Sequence, residues 1–201
     1  MLIVFEGIDG SGKDTQIRML LSFFRQHKVG FRLHKYPTSK AKEAFSHLKG
    51  EKTVPPLRLA EVFAGDIMAE QEKLRAEIGA GNVVVFDRYL HSTLAYQGVK
   101  ADYAKLKKRL GALGALVPDV VILLDINPAA GALRKKKQKK PDRPERDSAF
   151  LARVRANYLK MGRECFLAYK YAAVDASCSK EEVFSTVISQ VEPVVVGKLE
   201  K

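Results

Sequence analysis

A chain of 201 residues with 46% hydrophobic content can bury one substantial core, and no shift in composition marks a second domain. No stretch approaches the roughly 20 apolar residues that span a bilayer, and the apolar start at Met1 has no basic leader, so a soluble cytoplasmic protein without a membrane partner is expected. The balance of 35 Lys and Arg against 23 Asp and Glu gives +12, which favours an anionic partner, while Cys165 and Cys178 fit reduced, packed thiols better than a disulfide framework or a zinc site.

In chain order, apolar runs alternate with helical patterns. Ile3, Val4 and Phe5 mark a strand over 2–6, and Ile17, Leu20, Leu21 and Phe24 recur at helical spacing in a helix near 13–27. A strand at 31–36, helices across 39–49 and 56–79 and a strand at 82–87 follow. Two short helices fill about 90–113. A strand at 119–125, helices near 128–137 and 147–169, a strand at 171–175 and a helix at 179–191 complete the series. The strands read as continuous apolar runs, which suits a parallel five-stranded sheet with helices on both faces, an α/β class. The segment at about 134–147, from Arg134 to Asp147, is strongly basic and is the one compositionally biased stretch.

In an open parallel sheet, ligands sit beyond the carboxyl ends of the strands. After the first strand, Gly7, four residues, Gly12 and Lys13 give the frame of a P-loop, in which backbone N–H groups surround phosphate oxygens at the positive end of a helix. Gly7, Gly10, Ser11, Gly12, Lys13, Asp14 and Thr15 are the expected ATP-binding residues, with Lys13 reaching the outer phosphates. Asp14 stands where a Ser or Thr normally offers a hydroxyl to magnesium. After the third strand, Asp87 is placed to hold magnesium and Arg88 to bind a second phosphate through its planar fork. Lys35 and Asp125 end the second and fourth strands, and Asp125 reads either as a site residue or as an ordinary solvated strand end.

Phe5-Glu6-Gly7-Ile8-Asp9-Gly10-Ser11-Gly12-Lys13, Asp87-Arg88-Tyr89 with Ser92, and Ala95-Tyr96-Gln97-Gly98, in this order and spacing, resemble the thymidylate kinase family. The resemblance implies a single nucleoside monophosphate kinase-like domain over 1–201 with a P-loop NTPase-type fold and a basic lid at about 134–147. It also implies transfer of the γ-phosphoryl of ATP to the 5′-phosphate of dTMP with Mg2+, and a homodimer. By the same resemblance Asp9 meets the deoxyribose 3′-hydroxyl, Phe63 stacks on thymine, and Ser92 and Gln97 face the pyrimidine edge. Tyr96 walls the sugar, Arg88 and Lys35 hold the acceptor phosphate, and Arg143 brings positive charge from the lid. Lys13, Asp9, Arg88 and Arg143 are the catalytic candidates, and Asp14 and Asp87 the metal candidates.

Besides Asp14, two positions depart from the family pattern. Lys35 stands near a usual arginine, a point charge in place of a fork. Ile67 replaces an arginine that contacts a thymine carbonyl, so relaxed base discrimination is expected. Rival readings are a kinase for another deoxynucleotide or deoxynucleoside, or a regulatory or nucleic-acid-binding P-loop module. The basic run lacks interleaved aromatics and no nucleic-acid-binding motif accompanies it, so nucleic acid is not the expected partner.

Overall fold

Among the described residues five short strands form one sheet: β1 (Leu2–Glu6), β2 (Phe31–Lys35), β3 (Val83–Asp87), β4 (Val120–Asp125) and β5 (Tyr171–Asp175). The structure, a computed structural model, describes residues 1–136 and 147–199. All the pairings are parallel and the strand order is β2-β3-β1-β4-β5. Successive residues of a strand point to opposite faces, yet every residue of β1 and β3 is buried, so helices cover both sides of the sheet centre. That double cover is why these strands read as unbroken apolar runs. The edge strand β2 is mostly exposed.

The helices are α1 (Lys13–Gln26), α2 (Lys42–Lys49), α3 (Pro56–Met68), α4 (Gln71–Gly79), α5 (Leu90–Gln97), α6 (Tyr103–Gly111), α7 (Pro128–Lys136), α8 (Ser148–Arg163) and α9 (Lys180–Leu199). α1 and α9 pack together against the sheet, while α5 packs between α3 and α8. One core joins these layers, from Phe5 and Phe86 in the strands to Phe24, Leu94 and Tyr158 in the helices. A small second cluster, Ala41, Ala44, Val54 and Leu59, ties α2 to α3 and supports Phe63.

Several expected boundaries move. The helix expected over 56–79 is two, because the inward-turned Gln71 takes the Ile67 carbonyl with its side-chain Nε2 at 3.1 Å, where a continuing helix would use a backbone N–H. The helix expected to reach 169 ends at Arg163, where Cys165 (φ 43°) and Leu167 (φ 46°) adopt left-handed backbone and turn the chain into β5. The last helix runs on from 191 to Leu199. Both cysteines are exposed, not packed: Cys165 lies in that turn and Cys178 on the cavity rim.

Candidate active site

The loop between β1 and α1 is held too tightly for side chains. At Gly10 (φ 80°) an added Cβ would lie 2.2 Å from the Gly131 carbonyl oxygen, and at Gly7 it would lie 2.7 Å from that of Leu124. Gly10 therefore leaves no room for a cationic side chain within the loop, and the backbone of α7 at Gly131 packs directly against it. Lys13 curls back so that Nζ donates to Gly7 O at 3.0 Å and Ile8 O at 3.4 Å. Burial, then the neighbouring charge of Arg88, pull its ammonium down to about 8 against the opposing pull of Asp9, Asp87 and Glu6. A buried cation of this kind gains most from an anion.

Arg88 follows β3 with a left-handed backbone (φ 73°), which is uncommon for a non-glycine residue and re-aims the side chain across the strand ends. Its guanidinium pairs with Asp9, donates to Ser92 Oγ at 3.1 Å and lies over the Tyr96 ring at 5.5 Å. Burial opposes its charge, but Tyr96, Asp9, Tyr158 and Glu6 hold it well above the ordinary value. On the other side of Asp87 lies Lys35, its direct partner in the β2–β3 register. Lys35 Nζ meets Asp87 Oδ2 at 2.6 Å and Asp14 Oδ1 at 3.1 Å. Burial raises the Asp14 carboxyl, yet the hydrogen bond and charge of Lys35 outweigh it and keep the group below the usual range.

One cavity of about 900 Å3 joins these groups. Asp9, Gly10, Ser11, Gly12, Lys13, Asp14 and Thr15 form its floor, with Lys35, Asp87 and Arg88 beside them. At one end, α3 presents Leu59, Phe63 and Ile67, spaced four apart on one face, opposite Thr93, Tyr96 and Gln97 of α5. At the other end stand Arg134, Cys178 and Lys180. Arg134 donates to Ala176 O at 2.7 Å and Ser177 O at 3.2 Å, joining α7 to the loop after β5. Ser11 Oγ and Asp87 Oδ1 are buried without a hydrogen-bond partner among the described residues. A cation contacting Asp87 would relieve the second, so Asp14 and Asp87 fit a magnesium ion as donors; no cluster of three or more His, Cys, Asp or Glu that could hold a metal exists among the described residues.

The family model described as thymidylate kinase matches residues 5–187. The chain belongs to that family. A thymidylate kinase of Carboxydothermus hydrogenoformans is 31% identical over 190 residues, covering 90% of this chain and 92% of the relative. Those of Thermosipho melanesiensis and Prochlorococcus marinus strain NATL1A are also 31% identical, over 93% and 98% of this chain and 95% and 98% of the relatives.

The described candidates of this thymidylate kinase family member meet in one cleft, Gly7 at its back against Leu124. Arg143 and most of the expected lid lie outside the described residues. Ser92 is on the cavity wall, but its hydroxyl is engaged by Glu6 Oε2 at 2.6 Å, Tyr158 OH at 2.9 Å and Arg88. Thr93, 3% exposed and next to it in sequence, lines the α5 face and was missed by sequence reasoning. Glu6 was missed too. Fully buried at the end of β1, it accepts from Tyr89 N at 2.8 Å and Ser92 N at 3.2 Å, and so caps a helix whose own N-cap residue, Tyr89, offers no side-chain acceptor. Its place in the motif Phe5-Glu6-Gly7, an acid inside an apolar strand, is the available signal. Asp125 proves structural: Arg155 Nε and Nη2 reach its two oxygens at 2.6 and 2.8 Å and tie α8 to β4.

Proposed function

We infer that the chain transfers the γ-phosphoryl group of ATP to the 5′-phosphate of dTMP, giving ADP and dTDP. The observation that carries this reading is the placing of two anion-binding cations, Lys13 and Arg88, in one cavity whose far end is a groove between Phe63 and Ile67 on one side and Thr93, Tyr96 and Gln97 on the other. The loop N–H groups and Lys13 hold the donor phosphates, and Arg88, steadied by Asp9 and Ser92, holds the acceptor phosphate. An acceptor phosphate oxygen attacks the γ-phosphorus, and the bond to the β-phosphate oxygen breaks with its electrons leaving on ADP. The attacking oxygen is already anionic at neutral pH, so no general base is required and catalysis rests on positioning and charge.

Magnesium, when bound, neutralises charge on the donor phosphates; Asp14 and Asp87 are the residues that would hold it. The family resemblance further supports Asp9 at the deoxyribose 3′-hydroxyl, Phe63 stacked on the base, Lys35 at the acceptor phosphate, and Arg143 delivering charge from a lid at about 134–147. It also supports a homodimer in the cytoplasm; no described helix is long and apolar enough to cross a membrane.

A panel of nucleoside monophosphates and thymidine, each with ATP and Mg2+ and read by ADP release, tests the reading. dTMP is expected to be the best acceptor and thymidine to be inert. No ADP above background with any monophosphate would overturn the assignment, and comparable turnover of dUMP would place the base discrimination lost at Ile67 on the record.

A further inference from the structure

Asp87 and Asp14 come from different elements, the end of β3 and the first turn of α1, and converge on a single ammonium. Lys35 Nζ lies 2.6 Å from Asp87 Oδ2 and 3.1 Å from Asp14 Oδ1. The three side chains differ in freedom. Asp87 is 5% exposed, whereas Lys35 is 64% and Asp14 76% exposed. The second oxygen of Asp87 is buried without a hydrogen-bond partner among the described residues, and the residue lines the cavity beside Lys13. A buried carboxylate oxygen left unpaired is costly, and the monodentate ammonium leaves it so.

We propose that Lys35 is a displaceable stand-in for a divalent cation at the Asp14–Asp87 pair, and that its release couples the donor and acceptor sites. The inference rests on the reading above, that the cavity takes a metal–nucleotide and a monophosphate. Two carboxylates attract a doubly charged ion about twice as strongly as an ammonium at the same distance. One or two carboxylates completed by phosphate oxygens and waters is a common protein donor set for magnesium. Lys35, itself 64% exposed, regains water and rotamer freedom on leaving, its pair with the exposed Asp14 is weak, and the incoming dication takes over the pairing of the buried Asp87. Its ammonium is then free on the wall of the cavity that Arg88 also lines, where an acceptor phosphate replaces the lost carboxylates. In this arrangement one cation neutralises the acids when the site is idle and the acceptor when the donor is loaded.

Mn2+ serves as the probe, with free and bound ion separated by electron paramagnetic resonance on nucleotide-free protein. Lys35→Met is expected to bind Mn2+ at least about tenfold more tightly than the wild type, and adding Asp87→Asn to that variant should remove the binding. Lys35→Met with unchanged or weaker Mn2+ affinity, or with no bound Mn2+, would overturn the proposal. Dissociation constants for dTMP give the second arm: a magnesium complex of a non-hydrolysable ATP analogue should tighten dTMP binding at least about fivefold in the wild type and leave it unaltered in Lys35→Met. Equal tightening in both proteins counts against the coupling. Wild-type turnover of dTMP separates the two failures: an inactive wild type sinks the assigned reaction, while an active one whose Mn2+ affinity ignores Lys35 sinks this inference alone.

Discussion

Glu6 illustrates how one carboxylate can set a site it never enters. Two backbone N–H groups, the Ser92 hydroxyl and the Tyr158 hydroxyl all donate to it, and Ser92 in turn receives Arg88. Glu6→Ala leaves four donors, two of them fully buried, without this acceptor and should cost about 3 kcal/mol or more. Glu6→Gln is milder, about 1–2 kcal/mol, because its oxygen still caps the two N–H groups while its amide faces hydroxyls that can rotate to accept. Urea unfolding of the three proteins checks the order. Equal midpoints for the wild type and Glu6→Ala would mean that water replaces the carboxylate without loss. Glu6→Ala should also raise KM for dTMP, since Arg88 loses the group that orients Ser92.

The α3–α5 groove is an element-scale construction, and its asymmetry carries a prediction about which substrate each helix serves. Phe63 projects from α3 with Leu59 below and Ile67 above, far along the cavity from Cys178 and Lys180. Phe63→Ala should therefore raise KM for dTMP about tenfold, the value of one base–aromatic stack, and leave KM for ATP within about twofold. Equal effects on both constants would place the aromatic in general packing. How far these elements can be read from sequence depends on what fixes them. The central strands β1, β3 and β4 and the P-loop are legible because double burial and a tight loop leave local signatures in apolar runs and glycines, while the part-exposed edge strands β2 and β5 carry weaker ones. The break at Ala69 and Glu70 is not, since it comes from Gln71 reaching Ile67 O, Tyr89 OH and Leu116 N in other segments. The Lys35–Asp87 pair is equally hidden, because it needs the strand order that sets β2 beside β3, and Thr93 is told from Ser92 only once the pitch of α5 against Glu6 is known.

At the scale of the whole molecule, stability against acid rests partly on a histidine that the fold keeps neutral. His91 is fully buried, Nε2–H donating to Phe166 O at 2.9 Å, while Nδ1 has no partner among the described residues. Burial lowers its pKa below the ordinary 6.5, despite the opposing pull of Glu6 and of the Phe166 and Leu167 carbonyls. Between the lowered value and 6.5 the unfolded chain binds a proton that the folded chain refuses. Stability from this group is thus complete above about pH 6.5 and falls as the pH drops toward the folded value. Asp14, Asp175 and Glu182, whose carboxyls the fold holds below their ordinary values, lose their contributions only nearer pH 4, so the window from about 6.5 to 5 isolates the histidine from them. The net charge of +12 adds self-repulsion as carboxylates protonate, but a neutral replacement experiences the same background. His91→Gln can keep a donor toward Phe166 O and cannot titrate. Thermal midpoints of the wild type should fall between pH 7 and pH 5 by more than those of His91→Gln, and parallel curves for the two proteins would show that His91 charges within the fold at no cost.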